Sequence, residues 1–175
     1  DRLRELLAAV TATNPFQQAK LAGTGLEAGV ASLADFPARC PFTTKAGFVS
    51  DRAVRPPWGS NLTWPTDRYT RCHGTSGTRG RPLRWLDTTE DWERLLGQWG
   101  RVYAAAGVTA ADRVFFAFSF GPFLGFWTAF EAALRLGCLC RPGGGMSSAA
   151  RLRATLDQQA TALCGTPTYL LHPAE

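Results

Sequence analysis

The sequence predicts an α/β fold in which a parallel sheet is flanked by helices. After residue 112, short apolar segments alternate with segments of helical periodicity, in the order β-α-β-α-β. The predicted strands and helices cover residues 113–118, 123–136, 138–141, 147–159 and 161–164. Each helix is long enough to be the crossover that joins two parallel strands. Because ligands of such sheets bind beyond the carboxyl ends of the strands, we expect a site at that edge.

The residues that precede the sheet predict short helices joined by irregular segments. Apolar side chains at helical spacing predict a helix over residues 2–12. Pro37 is expected to close a short helical turn, since the residue before a proline avoids the helical conformation. Thr43 or Thr44 is expected to cap a helix that runs to Arg52. These residues therefore predict a region of short helices and loops.

A longer amphipathic helix is predicted just before the sheet. Asp87-Thr88-Thr89-Glu90 has the spacing of a capping box, and Gly107 is expected to end the helix after Ala106. The apolar stripe expected to pack into the core consists of Trp92, Leu95, Leu96, Trp99, Val102 and Tyr103. We divide the chain into a helical and loop region, residues 1–68, and residues 69–175, which hold a glycine-rich loop and the sheet. Both are predicted to be parts of one larger domain.

Composition narrows the classes of function. The chain of 175 residues has a net charge of +5 and a pI near 9.3, which favours an anionic partner. Its basic residues are scattered, so nucleic acid is an unlikely partner, and its most apolar stretch is too short to cross a membrane. Five cysteines without zinc-type spacing predict reduced thiols and a cytoplasmic protein. Cys138 and Cys140 are expected on one face of a strand, as buried thiols more readily than as a metal site.

A loop rich in glycine, hydroxyl and arginine residues follows Tyr69–Gly74. Its candidate phosphate-binding residues are Thr75, Ser76, Gly77, Thr78, Arg79, Gly80 and Arg81. Glycines let successive N–H groups converge on one anion, and guanidinium groups suit phosphate. The spacing is not that of a Walker A loop, because no lysine follows Gly80. Composition alone leaves two interpretations open, a polyphosphate-binding loop and an ordinary hairpin loop.

This loop resembles the Thr-Ser-Gly-Thr-Thr-Gly-x-Pro phosphate loop of the adenylate-forming, AMP-binding enzymes. Together with Asn14-Pro15-Phe16, Pro41-Phe42-Thr43-Thr44-Lys45 and Thr166-Pro167-Thr168-Tyr169, it resembles the phenylacetate–coenzyme A ligase family within that superfamily. The resemblance covers most of the chain. It implies the N-terminal part of the large domain of an adenylate-forming enzyme. Arg79 departs from the pattern, since the family has its second threonine there.

The resemblance also implies a reaction. An ATP-dependent, AMP-forming acyl- or aryl-CoA ligase activates a carboxylic acid, which can be aromatic, as an acyl-adenylate and transfers it to coenzyme A. The implied cofactors are ATP, Mg²⁺ and coenzyme A. In the family, further motifs that catalysis needs lie downstream of the matched region, so we assign no catalytic residue in this chain. The alternative is a truncated, inactive remnant or a nucleotide- or polyanion-binding module, which Arg79 favours.

The acid is expected to bind at the loops that follow the strands. In the family, the region around Ser119–Phe123 helps to line the acid pocket, so Phe120, Gly121 and Phe123 are candidates. Gly144 and Gly145 precede a helix that Ser147 is predicted to cap, where a carboxylate or phosphate could bind, although a simple turn explains them equally well. Tyr169 is a candidate for ligand contact or for packing. Two further aromatic residues of the same region, Phe126 and Trp127, are expected in the core.

Overall fold

The parallel sheet expected after residue 112 is present in the computed structural model, which describes residues 2–77 and 82–171. Its strands are β3 (Arg113–Phe116), β4 (Leu139–Pro142) and β5 (Ala162–Cys164). They lie in the order β4-β3-β5, and β3 pairs in parallel with both neighbours. Val114, for example, lies opposite Cys140 on one side and Ala162 on the other. The central strand is therefore β3, and its carboxyl end is the middle of the expected ligand-binding edge.

Two units make up the chain, Asp1–Leu86 and Asp87–Glu175. The second unit holds the sheet together with α5 (Thr89–Ala105), α6 (Leu124–Leu136), α7 (Ser148–Asp157) and α8 (Pro167–Leu171). The predicted order of strands and helices is thus confirmed, with ends that shift by one or two residues. The boundary that the sequence suggests between residues 68 and 69 stays a prediction.

Helices cover both faces of this sheet. Alternate residues of β3 point to opposite sides, so Val114 and Phe116 pack with the helices α5 and α6, while Phe115 packs with α7 and α8. All three side chains are at most 1% exposed. A strand that is buried on both faces reads as a continuous apolar run, which is why the sequence Val-Phe-Phe-Ala-Phe predicted it.

The capping box of α5 lies one residue later than the sequence predicted. Thr88, and not Asp87, is the N-cap: its side chain accepts from the N–H of Asp91, and the Asp91 carboxylate accepts from the N–H of Thr88. The reason is that β2 (Arg84–Thr88) extends through Asp87, which is 5% exposed at the end of that strand. The helix ends where predicted, before Gly107, which takes a left-handed φ of +72°.

Most of the predicted apolar stripe of α5 is buried. Trp92, Leu96 and Tyr103 are 3–6% exposed. Val102, in contrast, is 52% exposed, so its expected core position is wrong. It lies beside Tyr103 in sequence, about 100° around the helix, and the large tyrosine ring takes the inward position.

The first unit contains α1 (Arg2–Thr13), α2 (Pro15–Leu21), α3 (Asp35–Arg39), α4 (Lys45–Val54) and the two-stranded sheet of β1 (Tyr69–Gly74) and β2. Leu7, Leu21, Leu26 and Val30 form its buried cluster. Pro37 lies inside the first turn of α3, so the expectation that it ends a helix is wrong. An N–H in the first turn needs no acceptor within the helix, which is why proline is tolerated there.

Two of the family-like segments begin helices. Asn14 is 3% exposed and accepts from the N–H of Gln17, which caps α2. Thr44 accepts from the N–H of Gly47 and thereby caps α4. Of the two threonines expected as candidates for this cap, Thr43 and Thr44, the N-cap is therefore Thr44. The rings of Phe16 and Phe48 stack with their centroids 4.8 Å apart, so the segments that follow the two caps pack together. No helix in the described ranges is long and apolar enough to cross a membrane.

Candidate functional site

Thr75 closes the base of the candidate phosphate loop. Its N–H donates to the carbonyl oxygen of Leu83 over 2.9 Å, and its hydroxyl oxygen accepts from the N–H of Leu83 over 3.0 Å. A threonine hydroxyl accepts and donates at the same time, so its hydrogen is still available to an anion. Thr75 therefore holds the two ends of the loop together and retains one donor.

Gly77 has a backbone conformation that is typical of glycine. Its φ of +69° lies in the left-handed region, which glycine enters without strain. A residue of this conformation next to right-handed ones turns successive N–H groups toward one point. Ser76, immediately before it, is exposed. The remaining candidates, Thr78, Arg79, Gly80 and Arg81, lie outside the described residues, and their phosphate contacts stay predictions.

Phe120 follows β3 and lies within a group of aromatic rings. Its ring centroid is 5.2 Å from that of Phe118, 4.8 Å from that of Trp127 and 5.2 Å from that of Phe130. The ring is half-buried against the core that α5 and α6 share with the sheet. These contacts fix its orientation, so it offers a preformed apolar surface rather than a mobile one.

Trp127 is not the core residue that the sequence predicted. It is 36% exposed, and its indole N–H donates to the carbonyl oxygen of Gly121 over 2.9 Å. The next residue, Thr128, is 1% exposed and takes the inward position of α6. Phe126 does pack against the core, since its ring stacks on Phe118 with the centroids 4.1 Å apart. Trp127 thus holds the loop after β3 in place.

Gly121 and Phe123 complete this loop. Gly121 has a φ of +51°, and a Cβ atom there would lie 3.1 Å from the ring of Phe123. Phe123 is half-buried, precedes the first residue of α6 and makes an edge-on contact with Phe126 at 5.8 Å. A side chain at position 121 would therefore be strained by this φ and crowded by the ring of Phe123.

The loop after β4 passes directly over the end of β3. The N–H of Gly143 donates to the carbonyl oxygen of Phe116 over 2.9 Å, and a Cβ atom at Gly143 would lie 2.8 Å from that oxygen. Gly144 and Gly145 are exposed, and Gly145 has a φ of +73°. Ser147 then caps α7 by accepting from the N–H of Ala150. This helix start, with two exposed glycines before it, suits a carboxylate or a phosphate.

Arg151 is a residue of this edge that the sequence did not single out. It is 8% exposed, its Nε donates to the carbonyl oxygen of Gly143 over 2.8 Å, and its Nη1 donates to that of Ala117 over 3.3 Å. Its guanidinium carbon lies 4.6 Å from the centre of the Tyr169 ring. One side chain thereby ties together the segments that follow all three strands. The sequence signal for this role is an arginine in the first turn of the helix that follows the glycine-rich turn.

Tyr169 packs on the face of the sheet that α7 covers. Its hydroxyl lies 3.2 Å from that of Ser148, and its ring is half-buried beside Phe115 and Ala117. Phe120 packs on the opposite face, with Phe116 and Phe118. The structure gathers the three loops at one edge but holds these two candidate side chains against different layers. A Cβ atom at Gly144 would lie 3.7 Å from the backbone of Phe118 and Ser119, in the loop that follows β3.

The cysteines near the sheet have the properties of buried, protonated thiols. Burial raises the pKa of Cys138 and Cys164, and it raises that of Cys140 to about 11. Thiols of this kind are poor nucleophiles and poor metal ligands at neutral pH. Within residues 2–77 and 82–171, no group of three His, Cys, Asp or Glu residues could hold a metal ion.

Comparison with curated proteins finds relatives that share one name. The phenylacetate-coenzyme A ligase of Aromatoleum evansii is 32% identical over 140 residues, which are 80% of this chain and 30% of the relative. The enzyme of the same name from Pseudomonas putida is 30% identical over 138 residues, 79% of this chain and 30% of the relative. The chain thus spans less than a third of the length of these two relatives. No model of a known protein family matches it.

A comparison with solved structures also finds a CoA ligase. An open conformation of 2-hydroxyisobutyryl-CoA ligase, in complex with 2-HIB-AMP and CoA, aligns with 99% of this chain at a TM-score of 0.90 and 29% identity. The chain belongs to the phenylacetate–coenzyme A ligase family of adenylate-forming enzymes. It corresponds to 40% of the solved ligase, so the family fold is present here in part.

Proposed function

We propose that this chain is part of an AMP-forming acyl- or aryl-CoA ligase. The observation that carries the proposal is the agreement in fold, over 99% of the chain, with a ligase solved with an acyl-adenylate and CoA. In such a reaction the carboxylate oxygen of the acid attacks the α-phosphorus of ATP, and pyrophosphate leaves. The sulfur of coenzyme A then attacks the acyl carbon, and AMP leaves with the electron pair of the broken bond.

The phosphate loop supplies the charge stabilisation that the first step needs. A carboxylate must approach a polyanion, so donors that are already oriented toward the phosphates lower the barrier. The hydrogen bond between Thr75 and Leu83 and the left-handed φ of Gly77 support this assignment. We assign β- and γ-phosphate contacts to the loop residues 75–81, including Thr78, Arg79, Gly80 and Arg81. Within the described residues no group of three His, Cys, Asp or Glu residues could hold a metal ion, and we derive no step through Mg²⁺.

The acid binds at the carboxyl edge of the parallel sheet. Phe120 and Phe123 supply rigid apolar surface from the loop after β3, next to the unsubstituted backbone of Gly121. Gly144 and Gly145 expose backbone before α7, and Tyr169 supplies a hydroxyl. The two phenylalanine rings favour an acid with an apolar or aromatic body. A preformed apolar surface with a few polar groups is typical of such sites.

The test is acid-dependent exchange of labelled pyrophosphate into ATP by the native polypeptide that contains these residues. The panel is phenylacetate, benzoate, 2-hydroxyisobutyrate and acetate, and we expect exchange with at least one apolar acid. Gly77→Val should abolish exchange and ATP binding without unfolding the protein, because valine is strained at a φ of +69°. Gly97→Val is the matched control, since Gly97 is exposed in α5 and a Cβ atom there meets nothing within 4 Å.

The outcomes separate the two functions. ATP binding that depends on Gly77 but gives no exchange with any acid supports a nucleotide-binding module without turnover. Arg79, in place of the family's second threonine, is the feature that favours that second function. Exchange that survives Gly77→Val contradicts the assignment of the phosphate loop. Restoring threonine at position 79 should preserve or raise exchange, and a large loss would mean that the arginine contributes to it.

A further inference from the structure

A second place suited to an anion lies in the first unit, beside the strand that leaves the phosphate loop. It is a pocket of about 490 Å³ between α4, the segment that follows α4, and the start of β2. Its walls are Val49, Arg52, Ala53, Pro56, Pro57, Pro82 and Arg84. Of these seven described side chains, two are guanidinium groups and none is a carboxylate. The pocket is therefore cationic and otherwise apolar.

Arg52 is held in a fixed position on one wall. Its Nη2 donates to the carbonyl oxygen of Arg84 over 2.6 Å, which ties α4 to β2. Its Nε is buried and has no hydrogen-bond partner within the described ranges. A carbonyl oxygen accepts a hydrogen bond but does not neutralise a charge. The hydrogen bond to Arg84 thus leaves the positive charge of the half-buried Arg52 guanidinium in place.

Arg84 adds a second positive charge to the same pocket. Burial lowers the pKa of Arg52, and repulsion from Arg84 lowers it further. The neighbouring carboxylate, Asp51, is committed elsewhere: it accepts two hydrogen bonds from Ser60, both 2.6 Å long, and pairs with Arg55 at 3.0 Å. Two like charges therefore line one cavity, and the carboxylate of Asp51, which attracts Arg52, is shared with Ser60 and Arg55. An anion of charge −2 between Arg52 and Arg84 would relieve the repulsion.

The remaining walls fit a flat apolar group. Pro56, Pro57 and Pro82 lack a backbone N–H, and Val49 and Ala53 have aliphatic side chains, so this surface offers few donors. A volume near 490 Å³ lies within the range of sites for small molecules. It exceeds what a free inorganic ion would fill. The walls thus match a ligand that joins a compact dianion to an apolar body.

We propose that this pocket binds a phosphate monoester with a flat apolar group, with the phosphate between Arg52 and Arg84 and the apolar group against the prolines. Planar guanidinium groups suit phosphate oxygens because they donate in pairs. The site is separate from the nucleotide contacts assigned to the phosphate loop, and it does not depend on ligase activity. It would give the protein a second ligand or a regulatory input.

Phenyl phosphate is the probe, because it joins a dianion to one aromatic ring. We expect one-to-one binding to the native polypeptide by titration calorimetry, weakened when the ionic strength rises from about 0.05 M to about 0.5 M. Arg84→Met and Arg52→Met should each weaken binding about tenfold or more, because each removes one charged donor. Arg2→Met is the matched control, since Arg2 is exposed on α1, and it should leave the affinity unchanged.

The choice of variants and two further measurements make the result decisive. Arg84→Met removes no contact of Arg52, whose partner is the backbone carbonyl, so this variant keeps the test valid if Arg52→Met fails to fold. Inorganic phosphate should bind more weakly than phenyl phosphate, and equal affinities would overturn the role of the apolar walls. Gly77→Val should lose ATP but keep phenyl phosphate. Loss of phenyl phosphate with Gly77→Val, or unchanged affinity with Arg84→Met, would overturn the proposal.

Discussion

The Nε of Arg151 donates to the carbonyl oxygen of Gly143 over 2.8 Å, and both residues are buried where the central strand of the sheet ends. No carboxylate of the described residues pairs with this guanidinium. It donates instead to two carbonyl oxygens, and its planar face lies against the Tyr169 ring. A buried cation of this kind stabilises the fold only while every one of these partners stays in place. Arg151 therefore holds together the edge of the sheet at which we propose that the acid binds.

Replacement of Arg151 by methionine should lower the free energy of unfolding by roughly 2–4 kcal/mol, because two buried carbonyl oxygens lose their donors. Lysine should restore part of the loss, since its ammonium group reaches one carbonyl but cannot fork between two. Urea denaturation measures both variants. Arg153→Met, an exposed arginine of the same helix, should change the stability by less than about 0.5 kcal/mol. An equal effect at Arg151 and Arg153 would contradict this account.

Adding a methyl group at Gly143 should destabilise the protein by roughly 1–3 kcal/mol, because the new Cβ atom would lie 2.8 Å from both the Phe116 carbonyl oxygen and the Phe115 ring. Backbone cannot move aside as a flexible side chain can. Gly144→Ala provides the matched control, since a Cβ atom there meets its nearest neighbours at 3.7 Å. Thermal unfolding compares the two. If the melting temperatures of both variants fall equally, the crowding at Gly143 is not the cause.

Asp51 should contribute stability that depends on pH. Partial burial acts to raise the pKa of this carboxyl group, but hydrogen bonds from Ser60 and the ion pair with Arg55 outweigh it and lower the pKa below 3.8. A lowered folded-state pKa gives stability that is complete above the ordinary pKa and is lost as the pH falls through the folded value. Asp51→Asn should therefore cost about 1.5–3 kcal/mol at pH 7, and less at about pH 3.

The measurement for Asp51 is urea denaturation of parent and variant at matched pH values. Asp67→Asn, at an exposed position, controls for the loss of one negative charge. We expect the difference between parent and Asp51→Asn to shrink below about pH 4. A difference that stays constant down to about pH 2.5 would show that the ionised carboxylate is not what stabilises the bend at Ser60.

Loss of the Thr88 hydroxyl should destabilise α5. Thr88→Ala removes the acceptor for the N–H of Asp91 and leaves that group without its cap, at a cost of about 1 kcal/mol. Thr88→Ser keeps the oxygen and should retain most of the stability. The unfolding midpoint in urea distinguishes the two variants. Equal losses would mean that the effect comes from the γ-methyl group of threonine, which both variants lack.

Much of the fold follows from local sequence. Periodicity and capping residues predicted the alternation of strands and helices after residue 112, because these signals act over a few neighbouring residues. The glycines and hydroxyls before Pro82, together with the three flanking segments, led to the right family. Pro37 shows the limit of such signals. A proline can follow the end of a helix or lie in its first turn, and the neighbouring residues do not decide between the two.

The sequence by itself determined the class of fold, the family and the places where loops rich in glycine follow strands. Only the tertiary structure decided that Trp127 lies on the exposed face of α6 and that Arg151 joins three loops. It also decided that Phe120 and Tyr169 pack on opposite faces of the sheet. It also brought Arg52 and Arg84, 32 residues apart in the chain, to one pocket. The physical reason is that capping and periodicity depend on neighbours in the chain. Burial and charge pairing depend on neighbours in space, which a single sequence does not specify.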